Sequence, residues 1–310
     1  MPRERLGTLG LLKKTFSDFI ADDCMDSAAA LSYYTIFALP AILVLLLLLI
    51  STLMDPQDVQ GKLESQMQSL MGPTAGGEVR TILQEAERPQ GGVLPTILGI
   101  LGLIFGATGV LGQLQKTLNR AWNVAPDPSQ GGIKNFITKR MFSLGMLLAF
   151  AFLLMVSLVI SAALTGVGGR IDTLLPSALS GPMLEALNLL VSLAVFTLLF
   201  AALFKVMPDA RIAWKNVWVG AVVTGILFLV GKFLIGFYLG KSNPGEAYGA
   251  AGSMAVLLLW IYYSSLLVLF GAEFTETWAE HRGEGIEPEK GAIRVERQTQ
   301  RVGELGSTTR

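Results

Sequence analysis

Residues 28–54 read AAALSYYTIFALPAILVLLLLLISTLM, an unbroken run with no charged side chain. A helix needs about 20 mostly apolar residues, rising 1.5 Å each, to cross the hydrocarbon of a bilayer, and this run exceeds that. It also exceeds the roughly 7–15 residue apolar core of a secretory signal, and no credible cleavage box accompanies it. It therefore reads as a retained membrane helix. Pro40 removes a backbone donor inside it and predicts a kink.

Working outward, five more stretches meet the same criterion, at 94–112, 141–164, 186–207, 217–238 and 252–274. The expected fold class is all-α, a polytopic membrane protein with six transmembrane helices. Composition agrees, with 52% hydrophobic and only 15% charged residues, where soluble domains carry about 25% charged. A formal net charge of zero argues against nucleic acid as a partner, since such surfaces gather a basic field. Cys24 is the sole cysteine, so no intrachain disulfide can form and redox chemistry is not expected.

Orientation follows from where Lys and Arg fall, because positive residues near helix ends are retained on the cytoplasmic side. The N-terminus, the second and fourth loops and the tail hold eighteen of them, against five in the other loops (Lys62, Arg80, Arg88, Arg170 and Lys241). Both ends are thus expected inside. The chain divides into a cytoplasmic N-terminal segment (1–27), a membrane domain (28–278) and a polar tail (279–310) without periodicity, expected to be disordered. The outer loop at 55–93 carries Val59, Leu63, Met67 and Leu70 at helical spacing. Breaks at Gly72-Pro73 and Gly76-Gly77 suggest a helical hairpin over the outer mouth, or a connection resting on headgroups.

Inside the predicted spans, Gly99, Gly102, Gly106 and Gly109 fall within roughly an 80° arc of one helix. Such a stripe allows close helix packing or a sliding surface. It continues into the polar Gln113, Gln115, Asn119 and Arg120, ending at Trp122. Lys232 is the one basic residue inside a span away from its cytoplasmic end, either snorkelling to the outer boundary or facing a cavity. Asp22, Asp23 and Asp26 precede the first span and suit its positive helix end. Glu273 ends the sixth span, where the helix dipole gives no such explanation, and a gate or latch with Arg120 or Lys205 is the alternative reading.

Catalytic chemistry finds little to stand on. His281 is the sole histidine and lies in the tail, so neither a His-rich metal site nor a Ser-His arrangement can form within the membrane. The run Gly236 to Ser242 approaches a phosphate-binding loop but is one residue short, follows a membrane helix and faces outward. No catalytic residue, metal or cofactor is expected.

Several segments carry a resemblance: Ala28 to Thr35 with Pro40, Leu118-Asn119-Arg120-Ala121-Trp122, and Tyr248 to Gly252 leading to Trp260-Ile261-Tyr262 and Gly271-Ala272-Glu273. Together they resemble the YihY/BrkB family of bacterial inner-membrane proteins over roughly residues 10 to 280. The resemblance implies a six-helix domain in the cytoplasmic membrane. Members have been labelled virulence factors or, historically, ribonuclease BN, and some have been proposed to assist export of lipids or lipopolysaccharide precursors. The nuclease label finds no support in these residues, and the family offers no catalytic set to carry over.

Two functional expectations remain. One is a transporter or flippase-like protein for an anionic lipid or other amphiphile, with a cavity lined by Tyr33, Tyr34, Gln113, Asn119, Lys232 and Tyr248. The other is a membrane scaffold or envelope-assembly factor, with basic loops meeting anionic lipids and the tail meeting an envelope protein or a second copy.

Overall fold

The computed structural model describes residues 7–51, 55–71, 73–86, 93–130, 177–242 and 252–295, together with 141, 145, 146, 149 and 152. Its helices are α1 (Thr8–Ala21), α2 (Cys24–Ile50), α3 (Pro56–Met71), α4 (Pro73–Ala86), α5 (Val93–Ala121), α6 (Ser177–Val206), α7 (Trp214–Ser242) and α8 (Gly252–His281). Four short strands accompany them: β1 (Val124–Pro126), β2 (Ala210–Arg211), β3 (Glu287–Pro288) and β4 (Ala292–Arg294).

Among the described residues, four helices are long and apolar enough to cross a membrane: α2 over Cys24–Leu47, α6 over Glu185–Val206, α7 over Trp214–Tyr238 and α8 over Met254–His281. They match the first, fourth, fifth and sixth expected spans. The second expected span falls on α5, one helix of 29 residues, and the third, 141–164, lies almost wholly outside the described residues. Helix α2 continues through Pro40. Where lipid is as apolar as leucine, burying apolar area drives insertion but does little to choose helix partners, so close packing has to do so.

Helix α2 packs along α5 and α8, and α7 packs between α6 and α8. The antiparallel α7–α8 seam has a reciprocal design. Thr275 of α8 sits over Gly220 of α7, its Cβ 2.9 Å from where a glycine side chain would begin, and Thr224 of α7 sits over Gly271 of α8 at the same 2.9 Å. Each threonine hydroxyl donates to a carbonyl of its own helix, Thr224 to Gly220 and Thr275 to Gly271, both at 2.7 Å. Back-bonding satisfies the hydroxyl without a partner across the seam, and the missing Cβ opposite lets the backbones approach.

The glycine stripe on α5 behaves differently. Gly106 meets Ala41 of α2, whose Cβ lies 3.5 Å from the added-carbon position, whereas Gly102 and Gly109 meet nothing within 4 Å among the described residues. The side-chain surroundings of Gly99 fall outside them. The tight glycine seam is on α7 and α8.

The loop between α2 and α5 is a helical hairpin. Val59 and Leu63 of α3 and Val79 and Leu83 of α4 form one buried cluster with Leu43 and Leu47 of α2. Helix α3 ends at Met71 and α4 begins at Pro73, a first-turn proline, with Gly72 between them outside the described residues. The expected break at Gly76-Gly77 is absent, and α4 runs through both glycines.

The tail departs most from expectation. Helix α8 extends to His281 and ends in a Schellman turn: Gly283 takes φ +75, its N–H bonds Glu280 O at 2.9 Å, and Glu284 N–H bonds Ala279 O at 2.9 Å. Beyond it β3 pairs antiparallel with β2, and β4 pairs antiparallel with β1. Ile286 is buried. Disorder is thus the wrong reading for residues 284–295, because backbone pairing to two loops satisfies a strap that has no periodicity of its own.

Candidate functional site

The turn before α2, the end of α5, the α6–α7 loop and the strap after α8 all gather at one end of the bundle. Arg120 forms an ion pair with Asp23, Lys215 pairs with Glu284, and Asn216 Nδ2 donates to Glu284 at 2.9 Å. These are segments whose Lys and Arg were grouped on one side by charge. The Glu284 carboxyl is held below its usual range, first by the Lys215 bond and then by Asn216. Lys14 of α1 bonds Asp18 at 2.7 Å and Glu280 of α8 at 3.1 Å. Partial burial opposes the charge on Lys14, yet these two carboxylates outweigh it and its pKa rises.

At this end a cavity of ≈ 780 Å³ opens between α2, the last turns of α5, β1 and the α6–α7 loop. Thr108, Gln113, Lys116 and Asn119 of α5 line it, with Asp26 and Ser27 of α2 opposite, and Asp209 and Val295 at its edges. Two basic side chains, Lys116 and Arg120, and two acidic ones, Asp26 and Asp209, share the lining. Polar groups occur here because α5 changes character along its length, apolar up to Leu111 and amide-rich beyond.

Asn119 is a clamp more than a binding group. Its Nδ2 donates to Asp209 at 2.8 Å and its Oδ1 accepts the Asp209 backbone N–H at 2.8 Å, while Gln115 Nε2 donates to the same carboxylate at 3.1 Å. The neighbouring Trp122, 1% exposed, donates from Nε1 to Ala272 O at 3.0 Å and meets Phe204 edge-on. That bond ties α5 to α8.

Of the expected cavity residues, Gln113 and Asn119 are brought together here. Tyr33 and Tyr34 are not. They are 61% and 47% exposed on α2, in ring contact with each other, and Tyr33 also with Phe37. Lys232 is half-buried and lies eighteen residues along α7 from Trp214, about 27 Å at helical rise, so it belongs to the far end. Tyr248 lies outside the described residues. The expected Glu273–Arg120 latch resolves into different partners: Arg120 pairs with Asp23, while the fully buried Glu273 accepts a bond from Cys24 Sγ at 3.3 Å.

Asp209, Asp26, Lys116 and Cys24 were missed as site residues. Asp209 follows Met207-Pro208 in a short loop, and its partner stands ninety positions earlier, which no local pattern reveals. Among the described residues no group of three or more His, Cys, Asp or Glu is arranged to hold a metal.

Comparison with known proteins places these observations. A family model described as virulence factor BrkB matches residues 15–294. A UPF0761 membrane protein of Pseudomonas aeruginosa is 31% identical over 258 residues, covering 82% of this chain and 59% of that protein. One from Alteromonas mediterranea is 31% identical over 270 residues, 85% of this chain and 87% of the relative. One from Azotobacter vinelandii is 27% identical over 317 residues, 98% of this chain and 73% of the relative. The chain thus spans 59% of the length of its Pseudomonas relatives. No solved structure matches. With a family match over nearly its whole length and several membrane-length helices, the chain is an integral membrane protein belonging to the BrkB family.

Proposed function

We propose that this protein moves a phosphate-bearing amphiphile, a lipid or a lipid-linked envelope precursor, across the bacterial cytoplasmic membrane, working as a flippase-like transporter with no catalytic step. In this reading six helices cross the bilayer and the gathered end faces the cytoplasm. The observation that carries it is the cavity at that end, whose lining includes Gln113, Lys116 and Arg120 together with residues of the membrane-length helix α2. A headgroup can bind the amides and cations there while its chains remain beside apolar helix. Asp26 and Asp209 balance the two cations, so a headgroup carrying an ammonium as well as a phosphate is accommodated.

The test is reconstitution into liposomes with fluorescent phospholipids, following dithionite-accessible label over time. The parent protein accelerates transbilayer movement, and Lys116→Met slows it by about fivefold, a modest charge-assisted bond discounted for an exposed side chain. Lys232→Met leaves the rate unchanged. No acceleration under any ion gradient removes this proposal.

A second reading, a scaffold that transports nothing, draws on the Asn119–Asp209 clamp and the paired strap, which tie the same end together. It requires the cavity to stay inert in that assay.

A further inference from the structure

We infer that α1 is an interfacial membrane helix whose stripe of Leu9, Leu12, Phe16 and Ile20 is sunk in the lipid leaflet beside the gathered end of the bundle. The inference does not depend on transport. Helix α1 has three sectors. Leu11, Thr15 and Phe19 are 5%, 0% and 5% exposed and face α8, where the Phe19 and Phe270 rings lie 6.0 Å apart. Leu9, Leu12, Phe16 and Ile20 are 82%, 47%, 54% and 53% exposed. At about 100° per residue these four fall within roughly an 80° arc, centred about 105° from the buried face. Gly10, Lys14, Ser17 and Asp18 occupy the remaining side, with Lys13 on its border with the apolar stripe.

Four large apolar side chains on one exposed face mark an interaction surface. The bilayer is the occupant for three reasons. Only the Asp22–Asp23 turn separates α1 from α2, a helix of membrane length whose exposed side chains include Met25, Tyr33, Tyr34 and Phe37, so the stripe continues a lipid-facing surface. Lys13 stands beside the stripe, where an ammonium reaches lipid phosphate while its stem stays in apolar surroundings. At 14 residues the helix is about 21 Å long, too short to cross roughly 30 Å of hydrocarbon, and its contacts with Glu280, Thr277 and Phe270 run it along the last turns of α8, at one leaflet only. The bonds from Lys14 to Glu280 and from Thr277 to Asp18 fix its rotation against α8 and thereby aim the stripe.

The test places single cysteines on a Cys24→Ser background, Phe16→Cys and Leu12→Cys in the stripe and Ser17→Cys on the polar side. Each is labelled with an environment-sensitive nitrobenzoxadiazole and studied in bilayers of phosphatidylethanolamine and phosphatidylglycerol. The stripe labels should emit to the blue and lose most of their intensity to lipids bearing a shallow acyl-chain nitroxide, while the Ser17→Cys label is quenched by aqueous iodide. Iodide quenching of the stripe labels to the same extent as Ser17→Cys would overturn the inference. So would stripe labels shielded from both quenchers, which would mean that a second copy or another protein covers them. Leu12→Cys reports on the same stripe if Phe16→Cys fails to fold.

Discussion

Asn119 shows how one side chain can hold a membrane protein's end in shape. It spends both halves of its amide on Asp209, a residue in another loop, and is itself 4% exposed. Removing it strands a polar group rather than merely losing a contact, and an unmet buried group costs about 1–3 kcal/mol where a met bond contributes about 1. Asn119→Ala is therefore expected to destabilise the folded protein by about 1–3 kcal/mol, read as a lower unfolding midpoint by tryptophan fluorescence in detergent. Asn119→Asp should be worse, since it sets a second carboxylate against Asp209. Equal midpoints for Asn119→Ala and the parent would mean that the clamp contributes nothing. The amide was visible in the sequence as a polar step on α5; its purpose was not, because Asp209 is ninety positions away and only the folded chain introduces them. For the same reason Tyr33 and Tyr34, sound headgroup ligands by chemistry, could not be told from outward-facing side chains.

At the scale of elements, the α7–α8 seam makes the sharpest claim. A methyl added at Gly220 collides with the Thr275 side chain, and one at Gly271 with Thr224. Gly220→Ala should cost about 1–3 kcal/mol through overpacking, and Thr275→Ala in the same chain should restore part of it, a non-additivity of about 0.5–3 kcal/mol. Strictly additive losses would show that the two residues do not meet. The Gly-x-x-x-Thr spacing was present in both helices, but in a helix apolar all round the pattern does not say which face has a partner. Long apolar runs were legible for the opposite reason, since length and hydropathy alone set them. Helix α1 repeats its apolar residues with clear 3.6-residue period, a signal the sequence carries openly. The strap was illegible because strands of two or three residues exist only through their partners. Glu284 pins that strap to Lys215 and Asn216, and its pKa lies below the ordinary carboxylate value. Its contribution is fully present above the unfolded carboxylate pKa and is lost as pH falls through the depressed folded value. Proteolysis of residues 284–295 should accordingly speed up only in acid, and Glu284→Gln should abolish that Glu284-linked step; a pH-independent rate in the parent would count against the clip.

For the whole molecule, the bundle has one gathered end, where the α1–α2 turn, the end of α5, the α6–α7 loop and the strap are tied by ion pairs and short strands. The α3–α4 hairpin caps α2 near Leu43 and Leu47, away from that end. The four segments are joined by contacts that charge counting never uses, yet they are the ones the excess of Lys and Arg assigned to a single side. The most direct test is cysteine accessibility in intact spheroplasts on a Cys24→Ser background, with Ser129→Cys after β1, Glu289→Cys in the strap and Gln57→Cys in α3 probed by an impermeant maleimide. Labelling of Gln57→Cys in intact spheroplasts, with Ser129→Cys and Glu289→Cys labelled only after lysis, is the predicted result; Ser129→Cys and Glu289→Cys reporting opposite faces, or Gln57→Cys sharing theirs, would contradict it.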